Sequence, residues 1–147
     1  TDSPEGLGMT IGEALTCPTR SYAPILQKAY HAIGSDIHGV INVTGGGMTK
    51  VLRFGNNKHY VKDSLFNTPP LFQLIQEHGK VSWREMYQVF NMGQRIEVYL
   101  PESRAKELIE IAKTFNVNAS IIGYVEDSKT DGNSVTVKSP HGEFHWE

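Results

Sequence analysis

Three adjacent glycines form the stretch of this sequence that most directly suggests chemistry. They lie in INVTGGGMTK, residues 41–50, where Gly45, Gly46 and Gly47 follow an apolar run that predicts a strand. A glycine loop between a strand and a helix lets backbone N–H groups approach an anion, and the helix N-terminus adds positive potential. Glycines also suit a tight turn that needs positive φ. The triplet alone therefore favours an anion cradle and a structural turn equally.

Two further polar segments have the residue types of an anion site. In PTRSY, residues 18–22, Arg20 precedes a predicted helix and could bind a phosphate oxygen. In FNMG, residues 90–93, Asn91 and Gly93 follow another predicted helix. On residue type alone, the structural interpretation is favoured for both: an exposed Arg beside an N-cap, and an Asn-Gly helix stop.

Other common catalytic motifs have no match in the sequence, although a Ser–His–Asp triad stays open, because its members need not lie close together along the chain. Lys50 follows Met48 and Thr49, so the glycines lack the spacing of a Walker loop, and they do not satisfy the dinucleotide fingerprint. No Ser lies in a nucleophile elbow, and Cys17 before a proline is more often a small buried filler than a nucleophile. We predict no metal site, because the six histidines are scattered without zinc-like spacing. The sequence identifies no proton-transfer group.

Composition limits the class of protein. The 147 residues are 39% hydrophobic and 20% charged with a net charge of -2, which is typical of one globular domain with its own core. Without a basic run, neither nucleic acid nor a membrane surface is an expected partner. The single cysteine favours a cytoplasmic location. We expect residues 1–9 to be a linker and residues 10–147 one domain. The absence of an initial Met suggests that the chain begins partway along a longer gene product, and processing explains it equally well.

The elements that must position these residues follow from helix caps and periodicity. Thr10 and Glu13 have capping-box spacing before one short helix, and Ser82 and Glu85 have it before another. Further helices are predicted for YAPILQKAYHAIG, PLFQLIQEHG and ESRAKELIEIAKTF, and strands for residues 39–43, RIEVYL, ASIIGYVE, SVTVKS and EFHWE. This order predicts an α+β fold, a mixed β-sheet flanked by helices.

Four details of this prediction depend on weaker signals. Gly34 is expected to close one helix as its C-cap, and Gly79 to stand at the end of another. Residues 58–66 are predicted to form an edge strand. The Asp-Gly pair in KTDGN predicts a hairpin between ASIIGYVE and SVTVKS.

Three segments of the chain occur in the order and approximate spacing seen in one family: EALTCPTRSY, NVTGGGMTK and PPLFQLIQEHGKVSWREMYQVFNMG. Over about residues 12–125, the chain resembles the C-terminal domain of aminoimidazole ribonucleotide synthetase, also called phosphoribosylformylglycinamidine cyclo-ligase. EMYQVFNMG is the most specific segment. The triglycine also occurs in formylglycinamidine ribonucleotide synthetase, selenophosphate synthetase and hydrogenase-maturation proteins.

The resemblance implies a partly ferredoxin-like fold and a ligase of purine biosynthesis. In this family ATP phosphorylates the formyl amide oxygen of formylglycinamidine ribonucleotide, and a nitrogen then closes the imidazole ring and expels phosphate. It implies ATP and Mg²⁺ in the complete enzyme, bound mainly by an N-terminal domain whose signature this chain lacks, so the chain alone should be inactive. It also implies a homodimer in the complete enzyme, with the active site between the two domain types.

The implied contacts fall on residues already singled out. Thr44, Gly45, Gly46 and Gly47 should face the ATP-binding domain and contact a phosphate of the ribonucleotide. Further candidates for the same binding site are Asn42, Arg20 and Asn91.

The chain departs from the family pattern at two places. Asn42 stands where the family usually has His, and Gln94, Arg95 and Ile96 replace Ile-Gly-Met. Because Asn does not titrate near neutral pH, a general base at position 42 is disfavoured. Two alternatives to the cyclo-ligase remain open: a related superfamily member with other ATP-dependent chemistry, and a stand-alone domain that binds a phosphorylated ligand without catalysis.

Overall fold

The computed structural model describes residues 3–147 as an α+β fold, which confirms the predicted class. Its helices are α1 (Ile11–Thr16), α2 (Ala23–Ile33), α3 (Pro70–Gly79), α4 (Trp83–Val89) and α5 (Glu102–Lys113). Its strands are β1 (Gly39–Asn42), β2 (Lys58–Lys62), β3 (Ile96–Tyr99), β4 (Gly123–Asp127), β5 (Ser134–Ser139) and β6 (Gly142–Trp146). Two 3₁₀ helices, Gly34–Asp36 and Gly47–Arg53, follow α2 and β1. Residues 3–9 of the predicted linker carry no helix or strand, and residues 1 and 2 lie outside the described part.

The strands form two sheets instead of one. β1 and β3 pair antiparallel, with Ile41 opposite Glu97. The other four strands form a mixed sheet in the order β4-β2-β5-β6, in which the β2–β5 pair is parallel and the other two pairs are antiparallel. The expected edge strand, β2, is therefore an interior strand, and Tyr60 and Val61 on it are buried.

The expected hairpin between β4 and β5 is wrong, because β2 lies between them. The connection of residues 128–133 is too long for a two-residue hairpin turn and passes over the start of β2. Two asparagines hold it there. The Asn57 side chain accepts the N–H of Gly132, while the Asn133 amide donates to the carbonyls of Leu52, Phe54 and Gly55.

Local caps agree with the sequence more closely than strand pairing does. Thr10 and Glu13 make both bonds of the capping box, and Ser82 Oγ accepts the N–H of Glu85. Gly34 is the C-cap of α2, as expected, although its φ of -58° is right-handed and it leads into a 3₁₀ turn. Gly79 ends α3, also as expected, and the left-handed cap that follows it is Lys80, φ 51°.

Two hydrophobic clusters fill the interior. The larger joins both sheets, α4 and the 3₁₀ helix after the glycines, and the smaller joins α2 to α5 through Ile25, Ala29, Ile111 and Ala112. Helices α2 and α5 therefore each bury an apolar face against the other. Cys17, by contrast, is exposed rather than a buried filler. None of the helices within residues 3–147 combines the length and apolar character needed to cross a membrane.

A buried ion pair connects the two sheets. Lys62 Nζ on β2 lies 2.6 Å from Glu97 Oε1 on β3, and each side chain is only 4% exposed. Lys62 also donates to the carbonyl of Met48, and the Tyr99 hydroxyl donates to the second oxygen of Glu97. Burial lowers the pKa of the Lys62 ammonium and, together with the charge of Glu97, raises the pKa of the Tyr99 phenol. The alternation along β3 indicates that the face of Ile96 and Val98 is the buried one. Both residues are only half-buried, however, and Glu97 on the opposite face is buried, so the pattern did not reveal this pair.

Removing one member of the pair should be costly. We expect Lys62→Met or Glu97→Leu alone to destabilise the fold by about 3–5 kcal/mol, because each leaves a buried charge without its partner. The double variant should be closer to the wild type than either single variant. Urea unfolding followed by tryptophan fluorescence measures all three, and simple addition of the two single losses would contradict a charge-pair account.

Candidate anion-binding site

The glycine loop begins where β1 ends. Asn42 is the last residue of β1, and the next residue, Val43, is buried and donates its N–H to the carbonyl of Arg95. The chain then tightens, because the Thr44 N–H donates to Asn42 and the Gly47 N–H donates to Thr44, each bond being 3.0 Å. Residues 44–46 therefore form a short loop fixed at both ends, between the two-stranded sheet and a 3₁₀ helix.

The fold restricts the three glycine positions to different degrees. Gly47 has φ +46°, and a Cβ there would lie 2.5 Å from the Phe90 carbonyl oxygen and 2.6 Å from that of Tyr87. Gly46 has φ +95°, which disfavours any other residue. Gly45 has neither restriction, because a Cβ there meets no atom within 4 Å and its φ is outside the left-handed range. The fold therefore explains Gly46 and Gly47 and leaves Gly45 unexplained.

Backbone donors are available at the same place. Within residues 3–147, the Gly45 and Gly46 N–H groups donate no hydrogen bond, whereas those of Thr44 and Gly47 are bonded. Gly45 is exposed and Gly46 is half-buried. Since an unpaired N–H is satisfied either by water or by a ligand, the loop can present two donors to an anion.

Lys50 completes this group of donors. Its Nζ donates to the Asn42 carbonyl over 2.8 Å and to Thr44 Oγ1 over 2.6 Å, so it gathers two predicted site residues around the loop. Lys50 is not among the site residues predicted from the sequence, where it serves only to exclude the Walker spacing. Its position four residues after Gly46 was the available signal, because a helical turn returns such a residue towards the loop.

Asn91 lies in the turn that supports the loop. Its Oδ1 accepts the Gly93 N–H over 2.9 Å, in a turn where Met92 and Gly93 both have positive φ. The residue before it, Phe90, provides the backbone against which Gly47 packs. The structure therefore places the FNMG turn and the glycine loop together, as their joint selection implies, and gives Asn91 a turn-forming bond.

Arg20 has partners elsewhere. Its guanidinium donates to the carbonyls of Phe115 and Asn116 at the end of α5, over 2.7 and 3.3 Å. Among the described residues, no hydrogen bond connects it to the glycine loop. Its contacts are those of a helix C-terminal anchor, and phosphate binding by Arg20 stays a prediction.

The assembled groups suit binding better than proton transfer. Two backbone N–H groups, a hydroxyl, a side-chain amide and an ammonium all offer hydrogen-bond donors. Neither the Asn42 amide nor the Thr44 hydroxyl titrates near neutral pH, and neither a histidine nor a carboxylate is among these groups. The arrangement can therefore hold an anionic group, and it offers no evident general base.

A separate cavity of about 1280 Å³ lies between α5 and the two sheets. Its polar lining includes Lys62, Glu97 and Tyr99, which bond to one another. It also includes Tyr60, whose hydroxyl donates to the Phe54 carbonyl. These four side chains are therefore already engaged in hydrogen bonds within the fold.

The chain matches the family described as "AIR synthase related protein, C-terminal domain" over residues 3–135. Three similar proteins are named phosphoribosylformylglycinamidine cyclo-ligase. The one from Methanopyrus kandleri is 33% identical over 83% of this chain and 34% of its own length. The one from Methanocaldococcus jannaschii is 34% identical over 90% and 38%, and that from Alkaliphilus metalliredigens is 36% identical over 81% and 35%.

This chain spans about a third of the length of the relatives it matches. Among solved structures, it is similar to E. coli HypE, a hydrogenase maturation protein, with a TM-score of 0.56 over 97% of this chain and 45% of that one. At 15% identity, the likeness shows a shared fold.

The first and last glycines of the triplet should differ in how much stability they lose when the same methyl group is added. We expect Gly47→Ala to destabilise the fold by about 2–4 kcal/mol through overpacking and positive φ. Gly45→Ala should change stability by less than about 1 kcal/mol, since its Cβ enters open space. Urea unfolding measures both variants, and equal losses would show that Gly45 is also required by the fold.

Proposed function

Because the chain belongs to the family of AIR synthase related proteins through their C-terminal domain, we propose that it is the C-terminal part of a phosphoribosylformylglycinamidine cyclo-ligase. The complete enzyme would convert formylglycinamidine ribonucleotide to aminoimidazole ribonucleotide in purine biosynthesis. In this proposal, residues 1–9 are a linker and residues 10–147 the domain. The names of the similar proteins support the substrate class.

The observation that most directly supports this proposal concerns Gly45. It is the one glycine of the triplet that the fold does not require, and it lies beside two unpaired N–H groups. A side chain at this position would occupy the space through which an anion reaches those groups. We therefore assign Thr44, Gly45, Gly46 and Gly47 to binding a phosphate of the ribonucleotide, with Asn42 and Asn91 beside them.

ATP and Mg²⁺ belong to the complete enzyme in this proposal. In residues 3–147, no three His, Cys, Asp or Glu side chains converge as ligands for a metal ion. We assign the nucleotide and its metal mainly to an N-terminal ATP-binding domain. That domain is the proposed partner, in a homodimer of the complete enzyme.

The proposed site can be tested by titrating the chain, labelled with ¹⁵N-glycine, with ribose 5-phosphate. We expect the amide signals of Gly45 and Gly46 to shift, with ribose as the unphosphorylated control. Gly45→Ala should weaken binding about 10-fold or more by blocking the approach. Gly39→Ala is the matched control, because a Cβ at Gly39 also meets no atom within 4 Å. Unchanged signals at Gly45 and Gly46 in the wild type would overturn the phosphate cradle.

The reaction can be tested after adding the ATP-binding domain. Ring closure in the reassembled protein, absent from either part alone, is the expected result. Ribose 5-phosphate binding without ring closure in a correctly assembled protein would instead favour a stand-alone phosphate-binding domain.

A further inference from the structure

Lys50 is a half-buried lysine without a counter-charge. Its Nζ contacts two neutral oxygens, the Asn42 carbonyl and Thr44 Oγ1. In the part of the chain that the structure describes, no Asp or Glu oxygen lies within 4.0 Å of it, because the ion pairs there involve other cations. An ammonium held in place by neutral groups leaves a unit of positive charge at the loop.

The contrast with Lys62 makes this arrangement informative. Both lysines flank Met48, since Lys62 donates to the Met48 carbonyl and Lys50 follows it by two residues. The fold neutralises Lys62 with Glu97 at 2.6 Å. It provides no such partner for Lys50, although its ammonium is fixed by two short bonds. The position of Lys50 is therefore determined by the fold, whereas its charge is not compensated there.

The geometry also leaves one donor for a ligand. An ammonium has three N–H groups, and two of those of Lys50 are directed to Asn42 and Thr44. The Lys50 stem lies against Gly46, where a Cβ would be 3.5 Å from that of Lys50. Because Lys50 Nζ is bonded to Thr44 Oγ1, the ammonium lies beside the loop that carries the Gly45 and Gly46 amides, which have no partner among the described residues.

We propose that Lys50 is the positioned cation of this site and selects a phosphate monoester by its charge. This inference rests on the proposed function of the glycine loop and goes beyond it by identifying the residue that supplies the charge. Lys50 acts in two ways: two N–H groups hold the loop, and the third forms a charge-assisted bond to a phosphate oxygen.

Three substitutions separate these two actions. Lys50→Met removes both the charge and the donors, Lys50→Gln keeps donors without charge, and Lys50→Arg keeps charge and donors. The probe is ribose 5-phosphate, with binding followed at the Gly45 and Gly46 amides. We expect Lys50→Met and Lys50→Gln to bind about 10-fold to 100-fold more weakly, and Lys50→Arg to stay within about 10-fold of the wild type.

Salt dependence is the measurement that a purely structural role would not alter. For the wild type and Lys50→Arg, affinity should fall as ionic strength rises from about 0.01 M to about 0.5 M. The slope should be shallower for Lys50→Gln. Lys129→Met, in the exposed connection between β4 and β5, is the matched control and should retain the wild-type affinity and slope.

The outcomes distinguish this inference from the function on which it depends. If the wild type binds ribose 5-phosphate and Lys50→Gln binds with equal affinity and slope, the role of Lys50 is wrong and the phosphate cradle stands. If the wild type does not bind at all, the cradle itself is wrong. Weaker binding by Lys50→Gln with an unchanged slope would show that Lys50 only shapes the loop, which also overturns the inference.

Discussion

The buried Lys62–Glu97 ion pair is the constraint on which the rest of the structure depends. It is the charged contact between the four-stranded sheet and the β1–β3 pair, with both side chains removed from water. Desolvating two charges is unfavourable unless their geometry and remaining hydrogen bonds are good. The pair therefore stabilises only one relative position of the sheets. Met48 and Tyr99 complete its hydrogen bonds, so that position also includes the segment directly after the glycines.

The glycine loop is consequently fixed at its buried end and exposed to solvent at the other. Gly47 packs against the backbone at the end of α4, and Met48 next to it is fully buried. Gly45, two residues earlier, is exposed and touches nothing that a side chain would displace. Binding sites usually need donors that are held in place before a ligand arrives and that the ligand can reach from solvent. Within these three residues, Gly47 thus supports the fold, whereas Gly45 is left available to the proposed anion site.

Local features of the fold followed from the sequence, and long-range ones did not. The capping box of Thr10 and Glu13 depends on residues three apart, so it was predicted correctly. β2 was misplaced at an edge because its parallel neighbour, β5, begins 75 residues later, at Ser134 opposite His59. Glu97 was missed because alternation along β3 marks the face of Ile96 as apolar, while the charge that pairs with Glu97 lies on another sheet. For the site, glycine chemistry predicted the loop, whereas Lys50 required knowledge of where its side chain turns.

The parallel pairing of β2 with β5 also governs the order in which the chain can assemble. The larger sheet has β2 at its interior, yet both strands beside it come from residues 123–139. During synthesis, β2 stays without a strand partner while about 60 further residues are made. This takes seconds at ribosomal rates of about 5–20 residues per second. Until then the apolar side of β2 has no cross-strand partner, and contacts between distant parts of the chain form slowly. The mixed topology therefore makes the nascent chain dependent on its C-terminal residues for protection against premature association.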